Sequence, residues 1–193
     1  MRVCINRKPV AGPWGGGSKV LTAIIKRLTD VGHEVVYDLV PGIDVIFCVD
    51  PRPGAEKCLY GYNELHQYAK KHGSKTRIVQ RVGDVGSHGK PDLTKLVVAS
   101  AFHSDTVIFP SMWAYDFVKT TLESMDRRAE KQWHVIANAP ASVFYKNRNI
   151  HRTLPDRPSF VTHHWSTNML KGFEFYAQLE KDIEYDGTFT FYG

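Results

Sequence analysis

The sequence is poor in cysteine and has no long apolar run. Its three cysteines, Cys4, Cys48 and Cys58, are odd in number and include no C-x-x-C pair, which argues against a disulfide framework and a zinc site. No apolar segment is long enough to cross a bilayer, and the N-terminus shows no signal-peptide pattern. We therefore expect a cytoplasmic protein in a reducing compartment, with peripheral contact at a membrane surface left open.

The sequence also lacks an internal repeat, a low-complexity segment and a long block of like charge. Its formal net charge is +5, which favours anionic partners such as nucleotide-sugars, anionic lipid or nucleic acid. The basic residues are scattered, with only short clusters such as Lys70-Lys71 and Arg127-Arg128, as on an ordinary solvated surface. Nucleic acid is therefore the weakest alternative, and we expect no nucleic-acid partner.

Short apolar runs alternate with helical patterns through the first part of the chain. The patterns predict strands at residues 2–6, 34–39, 44–49, 77–81, 106–109 and 133–136, and helices at residues 18–31, 62–71, 92–102 and 112–124. Ser18, Asp92 and Ser111 are the predicted N-caps, and Gly32 is predicted to end the first helix. The fold class is α/β, a Rossmann-like doubly wound parallel sheet with helices on both faces. Its ligands are expected beyond the carboxyl ends of the strands, near residues 12–19, 50–54, 83–91 and 138–140.

The composition changes after Phe144. Residues 146–159 are polar and contain Pro155 and Pro158, which indicates a linker between a domain at residues 1–145 and a C-terminal piece at residues 160–193. That piece predicts a β-α-β unit, with strands at residues 160–164 and 188–192 and a helix at residues 169–179. It is too small to bury a core alone. It must pack on the first domain, on sequence not present here, or on an oligomer or partner chain that completes it.

The stretch Gly12-Pro13-Trp14-Gly15-Gly16-Gly17-Ser18-Lys19 lies between the first predicted strand and helix. Consecutive glycines permit φ angles closed to other residues and let another molecule approach the backbone. The start of a helix adds unpaired N–H groups and positive potential, which suit a phosphate. The residues alone leave two interpretations open, a phosphate-facing loop and a plain tight turn.

Five segments in register resemble retaining glycosyltransferases of the GT-B fold, in the family-four group. The first is the glycine stretch with its helix and Gly32-His33-Glu34-Val35. The others are Arg81-Val82-Gly83-Asp84, the run from Asp105 to Trp113, Val135-Ile136-Ala137-Asn138-Ala139, and Thr162-His163-His164-Trp165-Ser166 with Lys171-Gly172-Phe173. The resemblance covers essentially the whole chain. It implies an acceptor-side Rossmann-like domain at residues 1–145, followed by an incomplete start of the donor-binding domain.

The resemblance also implies which residues form the site. Gly15, Gly16, Gly17 and Lys171 are expected to face the donor phosphates, with Trp14, Arg81 and Asn138 on the acceptor side. Asp84 and His88 are the candidates for acceptor positioning or acid–base catalysis, although an Asp in a glycine-rich loop also commonly forms a turn. His163 and His164 are adjacent in a predicted strand and point to opposite faces, so they do not easily bind one ion. No metal and no cofactor are expected.

The sequence departs from the family pattern in two ways. The pair of glutamates near the donor has no counterpart, because the chain ends just inside the second domain. The arginine that often precedes the conserved lysine by about six residues is replaced by Trp165, counting back from Lys171. The 193-residue chain alone is therefore expected to show little or no transferase activity.

The resulting hypothesis is a glycosyltransferase, or its N-terminal half. Such an enzyme would transfer a sugar from a nucleotide-sugar donor to a glycan, lipid or other hydroxyl acceptor, with retention. The alternative is a non-catalytic Rossmann-like module that binds a sugar or phosphate and acts with a partner chain. The two differ in whether the protein turns over a nucleotide-sugar.

Overall fold

The computed structural model describes most of the chain in two parts. It covers residues 1–12, 16–54, 58–87, 89–127, 132–140, 146, 159–163, 169–182 and 188–192. Contacts between residues divide the chain into one unit from Met1 to Ala139 and another from Pro140 to Gly193. Each unit is described by itself.

A parallel sheet forms the centre of the first unit. The strands that it contains within the described residues are β1 (Arg2–Ile5), β2 (Glu34–Val36), β3 (Val45–Cys48), β4 (Arg77–Arg81), β5 (Thr106–Phe109) and β6 (Gln132–Val135). They lie in the order β2-β1-β3-β4-β5-β6, and every neighbouring pair is parallel. The predicted doubly wound parallel sheet is therefore confirmed.

Four α-helices of the described residues connect these strands. They are α1 (Gly16–Asp30), α2 (Tyr62–His72), α3 (Pro91–His103) and α4 (Met112–Ser124). Alternate residues of β1 point to opposite faces: Val3 and Ile5 pack with Leu21 of α1, whereas Cys4 packs with Leu65 of α2. Helices α3 and α4 form a third apolar cluster with β5. Both faces of the sheet are thus covered by helices, as the near-continuous apolar strands predict.

The direction in which successive strands are added to the sheet reverses between β1 and β3. The connection from β1 leads to β2 on one side, and the connections from β3 onward lead to β4, β5 and β6 on the other. Right-handed crossovers then place α1 on one face and α2, α3 and α4 on the opposite face. The loops after β1 and β3 diverge at this point, which leaves a crevice beyond the carboxyl ends of the strands.

Two predicted helix caps are wrong and one is confirmed. Helix α1 begins at Gly16, so Ser18 lies buried in its first turn and is not the N-cap. Helix α3 begins at Pro91 after Lys90, because proline suits the first helical position, and Asp92 therefore lies inside the first turn. Ser111 does cap α4, since its hydroxyl oxygen accepts a hydrogen bond from the Ala114 N–H at 3.2 Å. At the other end of α1, Gly32 takes a φ of +82° just beyond the helix, as predicted.

The second unit contains a parallel strand pair. Strands β7 (Ser159–His163) and β8 (Thr188–Tyr192) are hydrogen-bonded in parallel. A short 3₁₀-helix (Met169–Lys171) and helix α5 (Phe173–Asp182) lie between them in sequence. Phe173, Tyr176 and Leu179 are half-buried and recur along one face of α5. Most of the predicted linker lies outside the described residues, and membership of a donor-binding domain stays a prediction.

Across the described parts of the chain, every helix is too short or too polar to span a bilayer.

Candidate ligand-binding site

A crevice of about 210 Å³ opens where β1, β3 and β4 end. It lies at the reversal between β1 and β3, the position where open α/β sheets bind ligands. Its lining combines one residue after β1, one of α1, two of α3, and the segments around the ends of β3 and β4. These are Arg7, Gly17, Leu93, Val97, residues 49–52 and residues 80–84.

The buried Asn6 side chain joins the ends of β1 and β3. Its Nδ2 donates to the main-chain carbonyls of Asp50 at 2.6 Å and Tyr60 at 2.9 Å. Its Oδ1 accepts from the Val49 N–H at 2.8 Å. Asn6 is fully buried, so these bonds satisfy a polar group that would otherwise be costly in the core. They fix the segment after β3 beside the segment after β1, which forms one wall of the crevice.

Asp50 and Arg52 form a bidentate ion pair on that wall. The Arg52 Nε donates to Asp50 Oδ1 at 2.9 Å, and its Nη2 donates to Oδ2 at 2.6 Å. The hydrogen bond to Asp50 raises the pKa of the Arg52 guanidinium. Asp50 is buried, and Arg7 contributes only a distant contact, with its Nη1 3.9 Å from Asp50 Oδ2. The charge of Arg52 is thus largely matched by Asp50, whereas that of Arg7 is not.

Arg81 is a half-buried cation with a neutral partner. It ends β4, and its Nη2 donates to the Asn138 Oδ1 at 2.8 Å. Burial lowers the pKa of the guanidinium, and no carboxylate of the described residues contributes to the shift. Arg81 is one of the residues that line the crevice, and among the described residues the desolvation of its charge is not compensated by a negative charge.

Two buried polar atoms of the lining residues have no hydrogen-bond partner among the described residues. They are the Arg7 Nε and the Gln80 Oε1. The Gln80 side chain is almost fully buried, and its Nε2 makes only a long bond of 3.4 Å to the Val97 carbonyl. A buried acceptor left unpaired costs about 1–3 kcal/mol. Gln80 thus has an unpaired buried acceptor, and Arg7 an unpaired buried donor, in residues that line the crevice.

Asp84 is ionised and engaged on both oxygens. Oδ1 accepts from the Gly86 N–H at 2.8 Å, and Oδ2 accepts from the Lys90 Nζ at 2.9 Å. Burial alone would raise the pKa of this carboxyl, but the Gly86 and Lys90 hydrogen bonds together outweigh it and lower the pKa. A carboxylate held in this way is a good hydrogen-bond acceptor for a hydroxyl and a weak proton acceptor.

The structure brings together part of the predicted site. Gly17, Arg81 and Asp84 line the crevice, and Asn138 contacts Arg81. Gly16 is the exposed first residue of α1. Trp14, Gly15 and His88 lie outside the described residues, and Lys171 is an exposed residue of the 3₁₀-helix in the second unit.

The sequence analysis places residues 50–54 at this edge of the sheet without giving Asp50 or Arg52 a role. It misses Arg7 and Gln80, which line the crevice, and Asn6, which supports one wall. A signal for some of them is present. Asn6-Arg7 and Asp50-Pro51-Arg52 each follow an apolar strand directly, and polar residues at that edge are candidates by topology. Gln80 is a polar residue at a buried position of β4. A residue that breaks the apolar pattern of a buried strand in this way is typical of a functional site.

The described residues contain no group of three or more His, Cys, Asp or Glu side chains placed to hold a metal ion. Neither a scan against models of known protein families nor a search of curated proteins found a match. The resemblance to GT-B glycosyltransferases therefore stays a prediction.

Proposed function

We propose that the first unit is the acceptor-binding part of an enzyme that transfers a sugar from a nucleotide-sugar donor to a hydroxyl acceptor. One observation carries the proposal: the crevice at the reversal between β1 and β3 is lined by Arg81, Asp84 and Gly17. These are residues that the glycosyltransferase resemblance assigns to the site. The reaction class comes from that resemblance, and the position and polarity of the crevice support it.

In such a transfer, the acceptor oxygen bonds to the anomeric carbon while the bond from that carbon to the nucleoside diphosphate breaks. The acceptor proton passes to an oxygen of the departing diphosphate, which serves as the base. In this proposal Asp84 orients the acceptor hydroxyl by accepting its hydrogen bond, since its lowered pKa makes it a weak base. The first turn of α1 supplies unpaired N–H groups and positive potential for a phosphate, and Lys171 would add a positive charge in the donor-binding part.

A second candidate is a binding module without catalysis. The observation that favours it is the state of the two crevice carboxylates. Asp50 is paired with Arg52 at 2.6 Å, and Asp84 is paired with Lys90 at 2.9 Å. Both carboxylates are thus engaged by a cation, and a module that only binds a sugar needs no base.

The test measures acceptor binding and turnover in a variant whose crevice is filled by a larger side chain. Gly83 lines the crevice and does not have a positive φ, so a Gly83→Phe side chain should fill the crevice without backbone strain. The matched control is Lys95→Phe, on the outer surface of α3, where the lysine side chain is 73% exposed. We expect saccharide acceptors to perturb the Gly17 amide resonance of the wild-type chain and of the control, and to leave that resonance unchanged in the blocked Gly83→Phe variant.

Turnover separates the two candidates. Release of nucleoside diphosphate from a panel of nucleotide-sugars, dependent on acceptor and lost in Gly83→Phe, supports the transferase. Because this chain alone is expected to show little or no transferase activity, the same panel is also run on a fusion of the chain to a complete GT-B donor-binding domain. Acceptor binding with no release from that fusion supports the binding module. Shifts that persist in Gly83→Phe would contradict both, because the ligand would then bind elsewhere.

A further inference from the structure

We propose that the crevice selects an anionic acceptor, a sugar-sized polyol that bears a phosphate or carboxylate group. Arg81 and Arg7 bind the anionic group, and Gln80 accepts a hydrogen bond from a hydroxyl. This inference rests on the proposed function for the identity of the crevice as an acceptor site, and it names the substrate class.

The charges around the crevice do not cancel. The lining contains three arginines, Arg7, Arg52 and Arg81, against two aspartates, Asp50 and Asp84. The Asp50 carboxylate pairs with Arg52 through two hydrogen bonds of 2.9 and 2.6 Å. The Asp84 carboxylate pairs with Lys90, which does not line the crevice. The charges left facing the crevice are therefore positive, on Arg81 and Arg7.

Arg81 is the stronger of these two anion-binding groups. It is half-buried, and among the described residues its side-chain hydrogen bond goes to the Asn138 amide oxygen, so within that part of the chain its guanidinium has lost solvent without gaining a counter-ion. An anionic ligand would supply that counter-ion, and planar guanidinium groups bind phosphate and carboxylate through two parallel hydrogen bonds. The Arg7 Nε, which has no hydrogen-bond partner in the described part of the chain, provides a further donor.

Gln80 sets a second requirement for the ligand, namely a hydrogen-bond donor. Its Oε1 is a buried acceptor without a partner among the described residues. The side chains of Gln80 and Arg81 leave β4 on opposite faces, and both residues line the crevice at the end of the strand. An acceptor in this position favours a donor such as a sugar hydroxyl and disfavours an anion. The volume of about 210 Å³ is below the roughly 300–1,000 Å³ of pockets that hold drug-sized ligands. A single sugar unit therefore suits the crevice better than a long glycan or a nucleic acid.

Calorimetric titration of the full chain can test this selectivity. The probes are a hexose phosphate, a hexuronate, a neutral hexose and inorganic phosphate, each at low and high salt. Arg81→Met is compared with Arg77→Met, which lies on the same face of the same strand at its other end. Arg77 is 63% exposed and pairs with Asp105 at 3.0 Å. We expect Arg81→Met to weaken hexose phosphate or hexuronate binding at least tenfold, and Arg77→Met to change it less than twofold.

A neutral hexose should bind weakly to the wild type and equally weakly to Arg81→Met. A neutral hexose that binds as tightly as the anionic sugars would overturn the anionic class while leaving the proposed acceptor site intact. Inorganic phosphate that binds as tightly as the hexose phosphate would overturn the role given to Gln80. Equal losses in Arg81→Met and Arg77→Met would show general surface attraction instead of a site.

Failure of the proposed function itself has a different result. In that case no sugar probe binds, and Gly83→Phe leaves every measurement unchanged. A polyanion such as duplex DNA that binds more tightly than all small probes, with a steep salt dependence, would overturn the anionic-acceptor proposal in favour of nucleic acid. Circular dichroism and thermal unfolding of each variant confirm that the fold is kept.

Discussion

Asn6 Nδ2 donates a hydrogen bond to the main-chain carbonyl of Asp50 at 2.6 Å, across 44 residues of sequence. The bond joins the segment after β1 to the segment after β3, which is where the sheet reverses its direction of connection. The same side chain binds Tyr60 and Val49. One buried amide therefore holds the Asp50 wall of the candidate site in place.

Replacing this amide should destabilise the protein in a way that depends on pH. In Asn6→Asp a carboxylate would face two carbonyl oxygens, so we expect a loss of about 3 kcal/mol or more at pH 7. Burial raises the pKa of such a carboxyl, and the protonated form regains one donor, so the deficit relative to wild type should shrink as the pH falls toward 5. Urea unfolding at several pH values measures this.

Asn6→Ala is the control for the Asn6→Asp series, because it removes the same bonds without adding a charge. Its deficit relative to wild type should not change between pH 5 and 7. A free energy of unfolding for Asn6→Asp within about 0.5 kcal/mol of wild type, the range of ordinary surface substitutions, would contradict the role given to Asn6.

The loop that carries Asp84 depends on a glycine with no room for a side chain. Gly86 has a φ of +77°, and a Cβ there would lie 2.5 Å from the Lys90 carbonyl oxygen and 2.7 Å from the Thr94 nitrogen. We expect Gly86→Ala to lose roughly 2–5 kcal/mol, from the left-handed conformation and from steric overlap together. Thermal and urea unfolding give the value.

Gly89 provides a matched comparison in the same loop. Its φ is +70°, but no described atom lies within 4 Å of the position that an alanine Cβ would take. Gly89→Ala should therefore lose only about 1–2 kcal/mol, the cost of the conformation alone. Equal losses in the two variants would mean that the space around Gly86 adjusts freely.

Local sequence patterns predict the elements of this fold well because each depends on nearby residues. The bounds of β4 and β5 agree with the predicted ranges, residues 77–81 and 106–109. Strand β2 is shorter than the predicted range, residues 34–39, and ends at Val36. It is an edge strand paired with β1 alone over three residues, and no sequence pattern marks where such a pairing stops.

The site is less predictable because its contacts join distant segments. The family resemblance points to Arg81 and Asp84, and both line the crevice. The partner of Arg81, Asn138, lies 57 residues away, and the resemblance includes it without indicating that contact. The pairing of Asp50 with Arg52 and the burial of Gln80 follow from how the strands assemble, and no periodicity in the sequence encodes them.

The charge of Asp84 should make the free energy of unfolding decrease at acidic pH. Its pKa in the folded protein is lowered below the ordinary value of 3.8, so its contribution is fully present above that value and is lost as the pH falls through the folded pKa. Asp84→Asn should be less stable than wild type at pH 7, by less than about 1 kcal/mol because the side chain is 46% exposed. The two proteins should converge as the pH falls through the folded pKa of Asp84.

Urea unfolding between pH 2 and 7 measures that difference. Lys90→Met is the companion variant, because it keeps the Gly86 hydrogen bond to Asp84 and removes only the ion pair. It should show part of the same pH-dependent loss. A difference between wild type and Asp84→Asn that stays constant down to pH 2 would mean that the Asp84 charge does not stabilise the loop.

The three cysteines should be unreactive in the folded protein. Burial is the largest cause that raises the pKa of the Cys4 and Cys48 thiols to about 12, and it raises the pKa of the Cys58 thiol to about 11. The thiolate is the reactive form, so at pH 8 a disulfide reagent such as dithionitrobenzoate should label the native chain at least a hundredfold more slowly than the chain in urea. In urea all three cysteines should react.

Among the native thiols Cys58 should react first, since its pKa is the lowest. Cys58→Ser should remove that first phase while leaving the slower labelling of Cys4 and Cys48 unchanged. Rapid native labelling that survives in Cys58→Ser would place a thiolate where the fold has a buried, protonated thiol.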